Sequence, residues 1–266
     1  MASLIDPFLI GLAVKMLATA AVVVTASLIV ERMGPFIGAM VATLPISAGP
    51  AYIFLAMEHG SDFIEKASIV SLAMNAALAV FILVYALVAQ KQGVLLSLAC
   101  ALLIWFSIAW LLTNLQWGLR EAVALNVVSY SACIVIARKF LMQQGLKGKV
   151  FTVRWWDIPL RAIGVMSLVG IVVLLGRTLG PTAAGISATA PVVMTSLALI
   201  LHPRIGGPAA ALVLANGLIG LVGMGFALLA LYAAVPTLGT ALALLLALVI
   251  CVLWNASLVL LRHRAG

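Results

Sequence analysis

The sequence predicts an all-α polytopic membrane protein: nine transmembrane helices in a 4+1+4 inverted repeat, with the second helix of each repeat broken by proline. Three observations predict it. The 266-residue chain is 65% hydrophobic and 8% charged, with a mean hydropathy of +1.29, against about 45–50% apolar and about 25% charged in soluble domains. Its cations alternate across nine apolar runs as a membrane topology requires. A set of residues also recurs in order at an offset of 146.

A hydrocarbon core of about 30 Å takes about 20 apolar residues per helix, and no stretch shows the alternation of a barrel strand. In order, the apolar runs between charges and turn residues are 8–30, 36–57, 67–89, 94–112, 119–137, 158–175, 182–201, 209–232 and 240–261. The first is read as a retained span rather than a secretory leader, because no cation precedes it and Lys15 falls inside its apolar stretch. Cys100, Cys133 and Cys251 stand singly in apolar runs and are read as packing residues.

Placing the longest connection, with Arg138, Lys139, Lys147, Lys149 and Arg154, on the cytoplasmic side also puts Arg32, Lys91, Arg204, Arg262 and Arg264 inside. Only Lys66, Arg120 and Arg177 then lie in outer loops, and Glu58, Asp62 and Glu65 face out. The expected protein sits in a bacterial inner membrane with its N-terminus out and C-terminus in. The net charge of +8 is accounted for by topology and anionic lipid head groups, with no nucleic acid needed.

The repeat orders the chain further. Gly34-Pro35 recurs as Gly180-Pro181, Ala42-Thr43-Leu44-Pro45 as Ala188-Thr189-Ala190-Pro191, Lys15 as Arg161 and Gly60 as Gly206; Asn75 matches Asn216 at an offset of 141. The chain thus reads as one membrane domain, 1–266: repeat 1 over 8–114, a linker span over 115–140, a cytoplasmic loop over 141–154 and repeat 2 over 155–266. Because the first copy starts outside and the second inside, the copies are inverted. On these residues the chain resembles inverted-repeat secondary transporters with discontinuous helices. That resemblance implies a substrate site near the bilayer midplane, where the repeats meet.

Proline lacks the N–H that would bond the carbonyl four residues earlier. Pro45, Pro50 and Pro191 therefore free the carbonyls of Val41, Ile46 and Ser187, at mid-span in the second and seventh runs. Hydroxyls cluster there: Thr43 and Ser47 in the first copy, Ser187, Thr189, Thr195 and Ser196 in the second. Half-helix N-termini and freed carbonyls would together bind a small polar or anionic group. The alternative is that Pro, Ser and Thr merely kink ordinary spans, a hydroxyl covering the freed carbonyl. Asn75 and Asn216 either flank the breaks or bond across a helix interface. The glycines of the eighth run, Gly217, Gly220, Gly223 and Gly225, read as a packing face.

Lys15, eight residues into its span and about 12 Å deep at about 1.5 Å per residue, is a costly cation. Its expected partner is Glu121 or the substrate itself. Arg161, its counterpart, can snorkel beside Trp155 and Trp156 or pair with Asp157. No span carries a central Asp or Glu, and no nucleotide, metal or catalytic motif is present, so an enzyme and a cofactor are not expected. The expectation is a secondary transporter of a small anionic or zwitterionic metabolite. Thr43, Pro45, Ser47, Thr189, Pro191 and Thr195 would shape its site, Asn75 and Asn216 flank it, and Lys15 supply counter-charge. A lipid or lipid-linked-precursor translocase and a structural membrane subunit are the alternatives. Expected partners are the small-molecule substrate and membrane lipids, with homo-oligomerisation left open.

Overall fold

The computed structural model of the chain describes residues 7–30, 43–45, 48–115, 117–140 and 156–265. Ser47, Gly34, Pro35 and the loop 141–154 lie outside the described residues, as do the side chains of Asp157 and Arg161. Where no water is present, a helix satisfies its backbone groups within its own segment. The described residues are accordingly helical, with no strand among them.

In order the helices are α1 (Pro7–Val30), α2 (Ala48–Glu58), α3 (Ser61–Val88), α4 (Val94–Thr113), α5 (Leu119–Phe140), α6 (Asp157–Leu179), α7 (Pro181–Ala188) and α8 (Val192–Ile205). The remaining helix, Gly207–Ala265, is divided at Gly239, whose φ of 75° and ψ of 163° are non-helical. Its two arms are α9 (Gly207–Leu238) and α10, with the apolar span Thr240–Leu261. Seven of the described helical segments are long and apolar enough to cross a membrane: α3, α4, α5, α6, α7 and α8 taken together, α9 and α10. They coincide with the last seven runs read from the sequence. The first run falls on α1, and only the second half of the run 36–57 is described, as α2.

Several boundaries move outward from those expected. α3 starts at Ser61 rather than 67, because Asp62 in its first turn suits the positive end of the helix dipole. α9 runs to Leu238 rather than 232, carrying Pro236 inside it, and the expected loop shrinks to Gly239. Gly180 ends α6 at a φ of 83°, open to glycine at no steric cost. Pro181 then starts α7, where its missing N–H would have had no partner.

α3 is the central column. It is lined by fully buried Met74, Phe81, Ile82 and Tyr85 and packs on α4, α5, α7 and α9, while α1 packs chiefly on α6. Around this core, α4 exposes Leu95, Leu103, Phe106 and Trp110, α5 exposes Val127, Val128 and Val135, and α10 exposes Leu242, Leu245, Leu253 and Leu260. Soluble monomers do not expose apolar belts of this extent. The outer surface is built to face acyl chains, and the chain is an integral membrane protein.

Candidate functional site

The second interruption is fully described. α7 stops at Ala188, Thr189 and Ala190 leave the helix, and α8 restarts after Pro191. The backbone accounts for what the proline frees: the Ser187 carbonyl accepts from Ala190 N–H at 3.1 Å and the Ile186 carbonyl from Thr189 N–H at 3.3 Å. The Gly185 carbonyl accepts from Ser71 Oγ at 2.7 Å, and Thr189 Oγ1 donates back to the Ile186 carbonyl at 3.0 Å. Ser187 and Ser196 likewise donate to Ala183 and Val193 carbonyls in their own helices. The Ser187 carbonyl expected as a ligand acceptor is thus already bonded, and the Ser187, Thr189 and Ser196 hydroxyls spend their protons on carbonyls of their own segments; the Val41 and Ile46 carbonyls lie outside the described residues.

The first interruption is described at Thr43–Pro45, where the chain turns before α2, and Gly49 N–H bonds the Pro45 carbonyl at 2.7 Å. Pro50 lies in the first turn of α2, so its missing N–H disrupts little. It is a tolerated start rather than a second break. Thr43, only 1% exposed, donates from Oγ1 to Asn255 Oδ1 at 2.8 Å, and Asn255 Nδ2 donates in turn to the Cys251 carbonyl at 3.0 Å.

The two interruptions meet around a cavity of about 50 Å³, lined among others by Thr43, Pro45, Asn75, Thr189, Pro191 and Leu221. Five of the residues named from the sequence are thereby brought together. Thr195, Asn216 and Lys15 do not line it, and Ser47 lies outside the described residues. A site for one water needs roughly 10–15 Å³ by this kind of measure, so the volume suits a few waters or a small head group.

The decisive group is Asn75, which is 1% exposed. Its Nδ2 donates to Asn126 Oδ1 at 3.0 Å and lies 3.5 Å from the Leu221 carbonyl. Its Oδ1 is buried without a partner. An amide flip would not relieve this, because it would set Oδ1 against two acceptors. Asn126 is itself held, its Nδ2 donating to the carbonyls of Leu72 and Ala122. Tyr130 Oη adds a bond to the Asn75 carbonyl at 3.2 Å. The network therefore orients the amide and leaves one buried acceptor of a cavity-lining residue without a partner. Val193 and Met194 line the same cavity from the first turn of α8, where N–H groups have no partner in their own helix.

No family model matches the chain, and neither a curated protein nor a solved structure does.

Beside the polar cavity lies a second one of about 550 Å³ between α2, α9 and α10, sharing Pro45, Ala48 and Met224 with the first. Ile53, Met57, Leu245 and Leu248 on its wall are also exposed on the outer surface. It opens sideways, toward where acyl chains would lie. Among the described residues, no Asp, Glu, His, Lys or Arg lines either cavity.

Sequence reasoning missed four residues that hold the site. Asn126 is a lone amide at mid-span of the helix read as a mere linker, on the buried face Ala122, Asn126, Tyr130, Cys133, Ala137; that spacing was a usable signal. Asn255 carried a similar mid-span signal. Tyr52 and Ser71 carried none. Ser71 spends its proton on Gly185, so Tyr52 Oη must donate to Ser71 Oγ across their 2.7 Å contact, tying α2 to α7 through α3.

Lys15 corrects an expectation. Its partner is Glu58 at the end of α2, not Glu121; Glu121 stands exposed in the first turn of α5, at the positive end of that helix. The pair is partly buried, its side chains 14% and 24% exposed, with Lys15 Nζ also 5.6 Å from the centre of the Phe54 ring. Lys15→Ala and Glu58→Ala are each expected to cost roughly 1–3 kcal/mol, between the exposed and buried limits for ion pairs. The double variant is expected to be more stable than either single one, because it strands no charge. Thermal unfolding of the four proteins in one detergent checks this; additive losses would dismiss the coupling.

Proposed function

We propose that the chain is a secondary transporter that moves a small anionic or zwitterionic metabolite by alternating access around the cavity between the two interruptions. The observation that carries this reading is the oriented, buried and unpartnered Oδ1 of Asn75, a residue that shares the lining of one cavity with the first turn of a half-helix. A group kept unsatisfied at a cost of about 1–3 kcal/mol belongs to a site that is filled in some state. In this reading nine spans form two inverted repeats, with the N-terminus out and the C-terminus cytoplasmic. The packing of α1 on α6 and of α3 on α9 supports it, since an axis relating the repeats would bring equivalent spans together. Because Glu58 neutralises Lys15 and no cation lines the cavity among the described residues, the zwitterionic end of the range is favoured.

The lateral opening of the 550 Å³ cavity favours a second reading, a lipid translocase. Reconstitution into proteoliposomes separates the two. Flux of a zwitterionic metabolite that falls at least tenfold in Thr43→Val is the expected result. Movement of labelled phospholipid between leaflets, without flux of any small zwitterion, would replace the first reading by the second.

A further inference from the structure

We infer that the occupant is a small free amphiphile, with a zwitterionic head that both donates and accepts hydrogen bonds in the polar cavity and a hydrocarbon tail in the apolar one. An α-amino acid with an apolar side chain has this chemistry. The inference rests on the proposed site and names the class of molecule that fills it.

Three features specify the head. The unpartnered Asn75 Oδ1 demands a donor, and its orientation cannot reverse while Asn126 and Leu221 accept from Nδ2. Val193 and Met194, which line the same cavity, lie in the first turn of α8, whose N–H groups call for an acceptor. With no Asp, Glu, His, Lys or Arg among the described residues of either lining, a net charge there would be desolvated without a counter-ion. A carboxylate at the α8 N-terminus with an ammonium at Asn75 meets all three demands at zero net charge.

The tail follows from continuity. The cavity of about 50 Å³ holds a small head group alone, and its wall at Pro45, Ala48 and Met224 is also the wall of the apolar cavity of about 550 Å³. Anything larger than the head must extend there, among Tyr52, Leu228 and Leu244. A phospholipid head group is too large for the polar end, so the occupant is a free solute.

The test is equilibrium binding to the purified, reconstituted protein of four probes: glycine, 2-aminooctanoate, octanoate and octylammonium. Each methylene moved from water into the apolar cavity is worth about fourfold in affinity. The expected result is that 2-aminooctanoate binds at least a hundredfold more tightly than glycine. Octanoate lacks the donor and octylammonium the acceptor, so each is expected to bind at least tenfold more weakly than 2-aminooctanoate. Ala247→Phe fills part of the apolar cavity from a buried wall position; it should cut 2-aminooctanoate binding at least tenfold, spare glycine and leave the unfolding midpoint unchanged. Equal binding of glycine and 2-aminooctanoate, octanoate as tight as 2-aminooctanoate, or an Ala247→Phe protein that binds normally would each overturn the inference. So would protein-dependent flipping of phosphatidylethanolamine without 2-aminooctanoate binding. Flux separates this from the transport reading: binding without flux sinks transport alone, and flux of tailless zwitterions without chain-length dependence sinks the inference alone.

Discussion

Gly185→Ala is expected to destabilise the protein by about 3 kcal/mol or more, the largest loss of any single methyl group near the site. A Cβ at Gly185 would lie 2.4 Å from the Ala67 carbonyl oxygen and 3.0 Å from Val70 Cβ. The first neighbour is backbone of the central helix and cannot swing aside. Relief requires α7 to move off α3, which breaks the Ser71–Gly185 hydrogen bond of 2.7 Å and with it the tie to Tyr52. Overpacking of this kind costs about 1–3 kcal/mol and a lost buried hydrogen bond about 1 kcal/mol more. Gly60→Ala is the control: at φ −72°, with nothing within 4 Å of its Cβ, it meets no clash and is expected to lose only the preference for Gly over Ala at a helix N-cap, about 1 kcal/mol or less. Thermal unfolding of the two variants and the parent in one detergent decides; equal midpoints for Gly185→Ala and Gly60→Ala would refute the close approach.

The same logic runs along α3. Gly207 approaches the Ala89 carbonyl at its far end, and a Cβ at Gly220 would lie 2.4 Å from Thr43 Oγ1. Small residues let neighbouring backbones come close enough to trap polar groups between helices, which apolar attraction alone cannot arrange in lipid. The glycine face of the eighth run, read from sequence as packing, is indeed packing, and what it packs includes the polar residues of the site.

What was legible follows from range. A proline acts on the carbonyl four residues back, so the break at Thr189–Pro191 was visible locally. The apolar runs set the helices from 94 onward nearly to their observed ends for the same reason. Hydroxyl roles were half legible: Ser187, Thr189 and Ser196 bond carbonyls three or four residues back, a local habit of these residues that competes with ligand binding. Pairings between helices were not legible. Lys15 and Glu58 are 43 residues apart and Asn75 and Asn126 are 51 apart, and only the packing of α1, α2, α3 and α5 decides which depths face each other. Asn216, equivalent to Asn75 by offset, does not line the cavity; sequence symmetry named the pair, and the asymmetric linker helix α5, through Asn126, engages only one member.

That asymmetry yields the second large effect. Asn75→Leu is expected to weaken 2-aminooctanoate binding roughly 5- to 150-fold, the equivalent of about 1–3 kcal/mol for stranding a ligand donor. Asn126→Leu is expected to weaken it only about twofold. Both substitutions delete the same 3.0 Å bond between the two amides; Asn75→Leu also loses the 3.5 Å contact with the Leu221 carbonyl and Asn126→Leu the bonds to the Leu72 and Ala122 carbonyls, so at about 0.6–2 kcal/mol per bond in lipid Asn126→Leu should cost at least as much stability as Asn75→Leu. They differ in what remains at the cavity. Without Asn75 the cavity lining loses its unpartnered side-chain acceptor. Without Asn126 the Asn75 amide keeps the Leu221 carbonyl, 3.5 Å from Nδ2, as a partner that still favours the same amide orientation; at worst the two amide orientations become equal and half the protein stays competent. Measured side by side, a greater loss of affinity in Asn75→Leu without a greater loss of stability would mark Asn75 as a ligand-binding residue. Equal losses of affinity would instead assign the whole network to structure, and the cavity would then need another acceptor to be a site at all.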